Sequence, residues 1–132
     1  MRVLVCGGRH FDDYTFVRNA LENLLFYGNL IPKGLVIIEG ACPTGADEMA
    51  HIWATRNNLE NERYPVDHAL DGPWPAAGPI RNSRMLKKSR PTMGISFPGG
   101  KGTADMVKKL KAYVNPDTGE GIRVVELQRG KN

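Results

Sequence analysis

Short apolar runs alternate with segments of helical period along the whole chain, and this alternation limits the possible folds more than any other feature. The runs are "RVLVC" at 2–6, "GLVIIEG" at 34–40, "TMGISFP" at 92–98 and "GIRVVEL" at 121–127. Aliphatic, β-branched runs of this kind suit strands buried on both faces, and strands alternating with helices build a parallel sheet covered on both sides. A fifth, more polar run, "ENERYPV" at 60–66, reads as a strand at a sheet edge. The first helix, within "DDYTFVRNALENLLFYG", carries Phe16, Val17, Ala20, Leu21, Leu24 and Leu25 on one stripe, with Gly28 as its stop. Further helices are expected over 45–58, 81–89 and 102–113, and residues 67–80, "DHALDGPWPAAGPI", read as one long irregular stretch. The expected fold is α/β, a single three-layer domain over residues 1–132 with a mostly parallel five-stranded sheet. The terminal "QRGKN" is expected to fray.

A chain of 132 residues that is 41% hydrophobic and 24% charged can bury one core. No run approaches the roughly 20 apolar residues of a membrane span. The opening "MRVLVCGGR" passes from strand to glycines without a small-residue cleavage site, so the chain reads as cytoplasmic and without membrane contact. Cys6 and Cys42 are too few for a disulfide framework, and His10, His51 and His68 lie far apart in sequence. Neither a metal nor any other cofactor is expected. The net charge of +4 hides an asymmetry: residues 81–111 hold nine Lys/Arg and one acid, whereas residues 1–80 hold six basic and ten acidic side chains. Such a basic segment faces either an anionic partner or only water.

Glycines recur where strands hand over to helices: Gly7 and Gly8, Gly40 and Gly45, then Gly99, Gly100 and Gly102 in "PGGKGT". In an open parallel sheet these junctions share the carboxyl edge, where ligands bind. Residues without Cβ let a ligand approach the backbone, and the unpaired N–H groups of the following helical turn suit a phosphate or carboxylate. Thr103 either adds a hydroxyl donor or caps a tight turn. In "EGACPTGADEMA", Thr44 or Asp47 can cap the second helix, and Asp47 can instead accept from a ribose hydroxyl. Arg9 can meet a phosphate or pair with Asp12 or Asp13. Arg81 is read as opening a helix after a Gly-Pro turn, where its guanidinium can hold phosphate bidentately, with Asn82 beside it as donor and acceptor. Trp74, in "GPWP", either lies over an aromatic base or packs its own loop.

These four motifs, "GGRHFDD", "EGACPTGADEMAHIWA", "AAGPIRNSRML" and "FPGGKGTADMVKK", resemble in their order the YspA/YpsA-related group of the SLOG superfamily, over roughly residues 1–114. The resemblance implies a Rossmann-like domain that binds a nucleotide or a nucleotide-derived ligand such as ADP-ribose. A more distant likeness is to the LOG phosphoribohydrolases, which cleave the N-glycosidic bond of nucleoside 5′-monophosphates. On that likeness Arg81 matches a catalytic arginine, Met85 a methionine, and Pro98, Gly99, Gly100, Gly102 and Thr103 the phosphate loop. Asn82 stands where those enzymes have lysine, and Asp105 and Met106 stand at their two acidic positions. Hydrolysis would then fall to Arg81 and Asp105, with a thioether in place of the second glutamate. The superfamily also includes DprA DNA-processing proteins, which implies weak nucleic-acid binding as a third reading, although few aromatics interleave the basic residues. SLOG relatives are commonly dimers, so a homodimer is implied.

Overall fold

The computed structural model describes residues 1–28 and 30–129, so Gly130–Asn132 of the expected frayed end lie outside the described residues. The elements follow in the order β1 (Arg2–Cys6), α1 (Tyr14–Leu25), β2 (Val36–Glu39), α2 (Gly45–Arg56), β3 (Glu60–Arg63), α3 (His68–Asp71), α4 (Ala77–Ser89), β4 (Met93–Ser96), α5 (Lys101–Ala112) and β5 (Arg123–Glu126). All four strand pairings are parallel, in the spatial order β3-β2-β1-β4-β5. The chain leaves the central strand β1 in one direction to build β2 and β3, then returns to its other side for β4 and β5. Among the described residues no helix is long and apolar enough to cross a membrane.

The period-2 geometry of β1 divides the core into two layers. Val3 and Val5 face α1 and α2, where they join Val17, Leu21, Ala50 and Trp53. Leu4 and Cys6 face the other way, among Met85, Leu86, Met106 and Leu110 of α4 and α5. The three inner strands are buried at nearly every position, whereas β3 and β5, exposed at both ends and half-buried between, lie at the edges, as their polarity requires.

Two local expectations need correction. Helix α1 ends at Leu25, three residues before Gly28: Phe26 turns extended, its N–H still reaching the Glu22 carbonyl at 2.9 Å, so that its ring can pack on Trp53 with centroids 5.2 Å apart. Residues 67–80 are also less irregular than the sequence suggests. The Asp67 carboxylate caps the short α3 by accepting from Ala69 N–H, and α4 starts at Ala77. Proline at position 79 misled the reading, because in a first helical turn its missing N–H has no partner to lose. Arg81 therefore does not open α4. It sits one turn inside.

A buried ion pair clasps α3 to α4. Arg84 donates from Nε and Nη2 to the two oxygens of Asp71 at 2.9 and 2.8 Å, and Nη2 also reaches the Pro65 carbonyl at 3.0 Å. The fork of Arg84 holds the Asp71 carboxyl at about 2, below its ordinary value near 3.8. Stability from this pair is complete above the ordinary value and is lost as pH falls through 2. Arg84→Met should lower the melting temperature most at neutral pH, and its deficit against the parent should shrink in melts taken from pH 5 down towards pH 2.

Candidate functional site

The loops that leave β1, β2 and β4 surround a cavity of about 760 Å³ at the carboxyl edge of the sheet, closed on its remaining side by the start of α4. Its size is that of a small-molecule pocket. Two of the loops touch backbone to backbone: Gly8 N–H donates to the Pro98 carbonyl at 2.8 Å. A Cβ on Gly8 would lie 2.9 Å from Gly99 Cα, and one on Gly99 would lie 2.6 Å from Gly8 N. Gly45, at φ +75°, closes the third junction, since a Cβ there would sit 2.2 Å from the Gly8 carbonyl. It lies behind the cavity wall, where Ala46 N–H and Thr44 Oγ1 donate to the carbonyls of Gly8 and Arg9. Thr44 occupies the N-cap position of α2 without capping it, and neither does Asp47.

Helix α5 begins inside this cavity without a cap. Gly100 is its N-cap residue, no side chain caps it, and the first helical bond runs from Ala104 N–H to the Gly100 carbonyl. The N–H groups of Lys101, Gly102 and Thr103 carry the positive end of the helix with no partner among the described residues. Gly99 is required by its neighbours, but a Cβ on Gly100 or Gly102 would meet nothing within 4 Å. Packing within the chain thus accounts for one of the three glycines in "PGGKGT". Thr103 is half-buried, and its hydroxyl lies against Gly99 at the cavity wall.

Arg81 reaches the cavity from α4 and is fixed by backbone. Its Nη1 donates to the carbonyls of Gly40 at 2.6 Å and Tyr64 at 3.1 Å, and its Nε donates to Asn82 Oδ1 at 3.2 Å. Nη2 has no partner among the described residues. The Gly40 carbonyl is aimed by a residue that the sequence reading passed over. Glu39 is fully buried at the end of β2, and its Oε1 accepts from Ala41 N–H at 2.6 Å, which holds Ala41 at φ +57°. Its Oε2 accepts from Arg63 Nε at 2.8 Å and Asn61 Nδ2 at 3.1 Å, so the buried charge is satisfied. The available signal was a lone acid ending an otherwise apolar buried strand.

Asp47, only 8% exposed, faces the same cavity from the first turn of α2. One of its oxygens, Oδ2, accepts a long bond from Cys42 N–H at 3.3 Å. Burial raises its carboxyl, the Cys42 N–H and the Arg81 charge offset this in part, and the nearby Glu39 adds to the rise, leaving it at about 6. Cys6 also lines the wall as a neutral thiol, pushed up to about 12 by burial.

Of the residues singled out in the sequence, Gly7, Gly8, Arg9, Gly40, Asp47, Arg81, Asn82, Pro98, Gly99, Gly100, Gly102 and Thr103 line this one cavity. Gly45 and Asp105 do not. Asn82 is buried, and its Nδ2 donates to the Gly102 carbonyl at 3.3 Å and to Asp105 Oδ2 at 3.1 Å. Asp105 also takes Lys109 Nζ at 2.8 Å. Its partial burial would raise the carboxyl, but the bonds from Lys109 and Asn82 outweigh it and hold Asp105 below the ordinary range. Met106 does line the cavity, at 1% exposure. Arg9 is exposed and pairs with neither Asp12 nor Asp13, which both meet Arg129 instead, at 3.7 and 3.3 Å. Lys101 joins it at the rim; the sequence reading had not singled it out.

The family model described as YspA, cpYpsA-related SLOG family matches residues 1–70, just over half of the chain. No curated protein and no solved structure matches it.

Two measurements separate scaffold from site. Gly45→Ala combines a clash with positive φ and should cost at least about 2 kcal/mol in denaturant unfolding, whereas Gly102→Ala, at an open helical position, should stay within about 0.5 kcal/mol of the parent. For Asp47, the folded state holds a proton up to about pH 6 that the unfolded chain releases near 3.8, so this residue's contribution to stability is complete below 3.8 and lost as pH rises through 6. Asp47→Asn should therefore gain on the parent between pH 4 and pH 8, by up to about 3 kcal/mol in paired urea melts.

Proposed function

Because the chain belongs to the YspA, cpYpsA-related SLOG family, we propose that the cavity binds a nucleotide or nucleotide-derived ligand, to sense, sequester or process it. The observation that carries this reading is the meeting, in one cavity, of an uncapped helix start bearing two unobstructed glycines and a guanidinium with a free Nη2. Both recognise the same chemistry, an anionic phosphoryl group. In this reading the α5 N–H groups and Thr103 cradle the phosphate, Arg81 neutralises it in a fixed orientation, and exposed Arg9 and Lys101 attract it at the rim. Asp47 accepts from a ribose hydroxyl.

The geometry favours binding over N-glycoside hydrolysis. A general base must reach the reacting atoms, but Asp105 is engaged by Lys109 and Asn82 outside the cavity lining, and Met106 brings a thioether to the wall. Nucleic-acid binding is the weaker reading because much of the basic segment is already committed. Arg84 pairs with Asp71, Arg90 with Asp117, Lys109 with Asp105 and Lys111 with Glu126, while Arg81 is held by carbonyls.

Thermal melts with millimolar ADP-ribose, NAD and nucleoside monophosphates test the proposal, since a ligand selective for the folded state raises the melting temperature. At least one should do so. Arg81→Ala should weaken that ligand roughly ten- to a hundredfold by calorimetry, the loss of a charge-assisted pair to phosphate. No shift across the panel, or unchanged affinity in Arg81→Ala, would overturn the assignment.

A further inference from the structure

Trp74 is 63% exposed, the largest side chain so open to solvent, and it lines the cavity beside Gly78 and Pro79 of α4. An indole left this exposed forfeits the burial that usually stabilises it. The loop is not loose. The Arg84–Asp71 pair clamps it, Asp67 N–H donates to Asp71 Oδ2 at 2.8 Å, and His68 Nδ1 lies 2.7 Å from the Gly72 carbonyl. The ring itself is held by a T-shaped contact with His68, with centroids 5.5 Å apart, and it passes Gly78 where a Cβ would lie 3.6 Å from it. A fixed loop thus presents an aromatic surface to the same cavity that holds the α5 helix start and Arg81.

We propose that Trp74 is the platform on which the aromatic base of the ligand stacks, so that the site selects nucleotides over base-free sugar phosphates. This rests on the nucleotide reading of the cavity and adds to it what sets specificity. Stacking on an aromatic side chain tolerates any base, because every base has a π-face, so it distinguishes nucleotide from ribose phosphate more sharply than purine from pyrimidine.

The chain has two tryptophans, and Trp53, on the buried face of α2, is 1% exposed, so ligand-dependent emission reports on Trp74. The full chain is titrated with AMP, ADP-ribose and ribose 5-phosphate by calorimetry and by fluorescence excited at 295 nm with absorbance correction. AMP and ADP-ribose should quench the emission, whereas ribose 5-phosphate should bind at least about tenfold more weakly than AMP and leave it unchanged. Trp74→Ala should cost AMP roughly tenfold or more and leave ribose 5-phosphate unaffected, while Trp74→Phe should restore most of the AMP affinity without the quench. Equal affinity for AMP and ribose 5-phosphate, both untouched by Trp74→Ala, would overturn the platform and leave the phosphate site standing. Emission that changes with protein concentration and not with AMP would also overturn it, in favour of a contact between copies of the chain. No heat from any of the three ligands would remove the nucleotide reading and the platform together.

Discussion

The close passage of the β1–α1 loop against the β4–α5 loop is the contact on which the rest depends. Gly8 and Gly99 meet with no side chain between them, and the Gly8 N–H to Pro98 carbonyl bond fixes their separation. The central strand and its neighbour therefore end at one level. The first turn of α5 is then delivered over the end of β1, where its unpaired N–H groups face α4 and α2 across the cavity. Gly45 sets α2 against the same Gly8 carbonyl, so two helices, α5 and α2, are referenced to one short piece of backbone. Any Cβ in this cluster would push the loops apart and disperse the groups they hold.

A second layer of constraint is electrostatic. Arg81 needs an acceptor that holds it without neutralising it, and two backbone carbonyls do this where a carboxylate would cancel the charge. The Gly40 carbonyl can face Arg81 only if the chain turns sharply, which Ala41 accomplishes in the left-handed region that non-glycine residues seldom visit. Glu39 supplies the compensation by accepting the Ala41 N–H, and Arg63 and Asn61 compensate Glu39 in turn. An ion pair at the far edge of the sheet thus orients a cationic side chain in the cavity.

The sheet and its glycine junctions were legible in the sequence because both follow from local rules. Apolar runs report burial on two faces, and glycines mark close approach. The bounds of α1 and α4 were not legible for the same reason in reverse: Gly28 and Pro79 are strong local punctuation, and tertiary packing overrode both. Phe26 leaves the helix to reach Trp53, and Pro79 fits a first turn that begins earlier than its dipeptide suggests. The direction of a side chain was harder still. Arg81, Asn82 and Asp105 belong to motifs read together from the sequence, yet only the first two face the cavity, since Asp105 lies on the side of α5 that meets Lys109. The side chains that compensate Glu39, Asn61 and Arg63, come from 22 and 24 residues away, beyond the reach of a local pattern.

Asn82 shows why a change of residue type at this place alters more than charge. Its amide accepts from Arg81 Nε while donating to the Gly102 carbonyl and to Asp105, so one neutral group joins the guanidinium, the start of α5 and a carboxylate. The lysine found here in the LOG likeness has three donors and no acceptor, and could not receive the Arg81 bond. It would compete with Arg81 for any anion and repel it. With asparagine, Arg81 is the only cationic side chain from the first two turns of α4, and its orientation is coupled to the helix start it faces. Asp105 is drawn into the same relay and away from the cavity. The amide that orients Arg81 thus also helps hold Asp105 on a side of α5 outside the cavity lining.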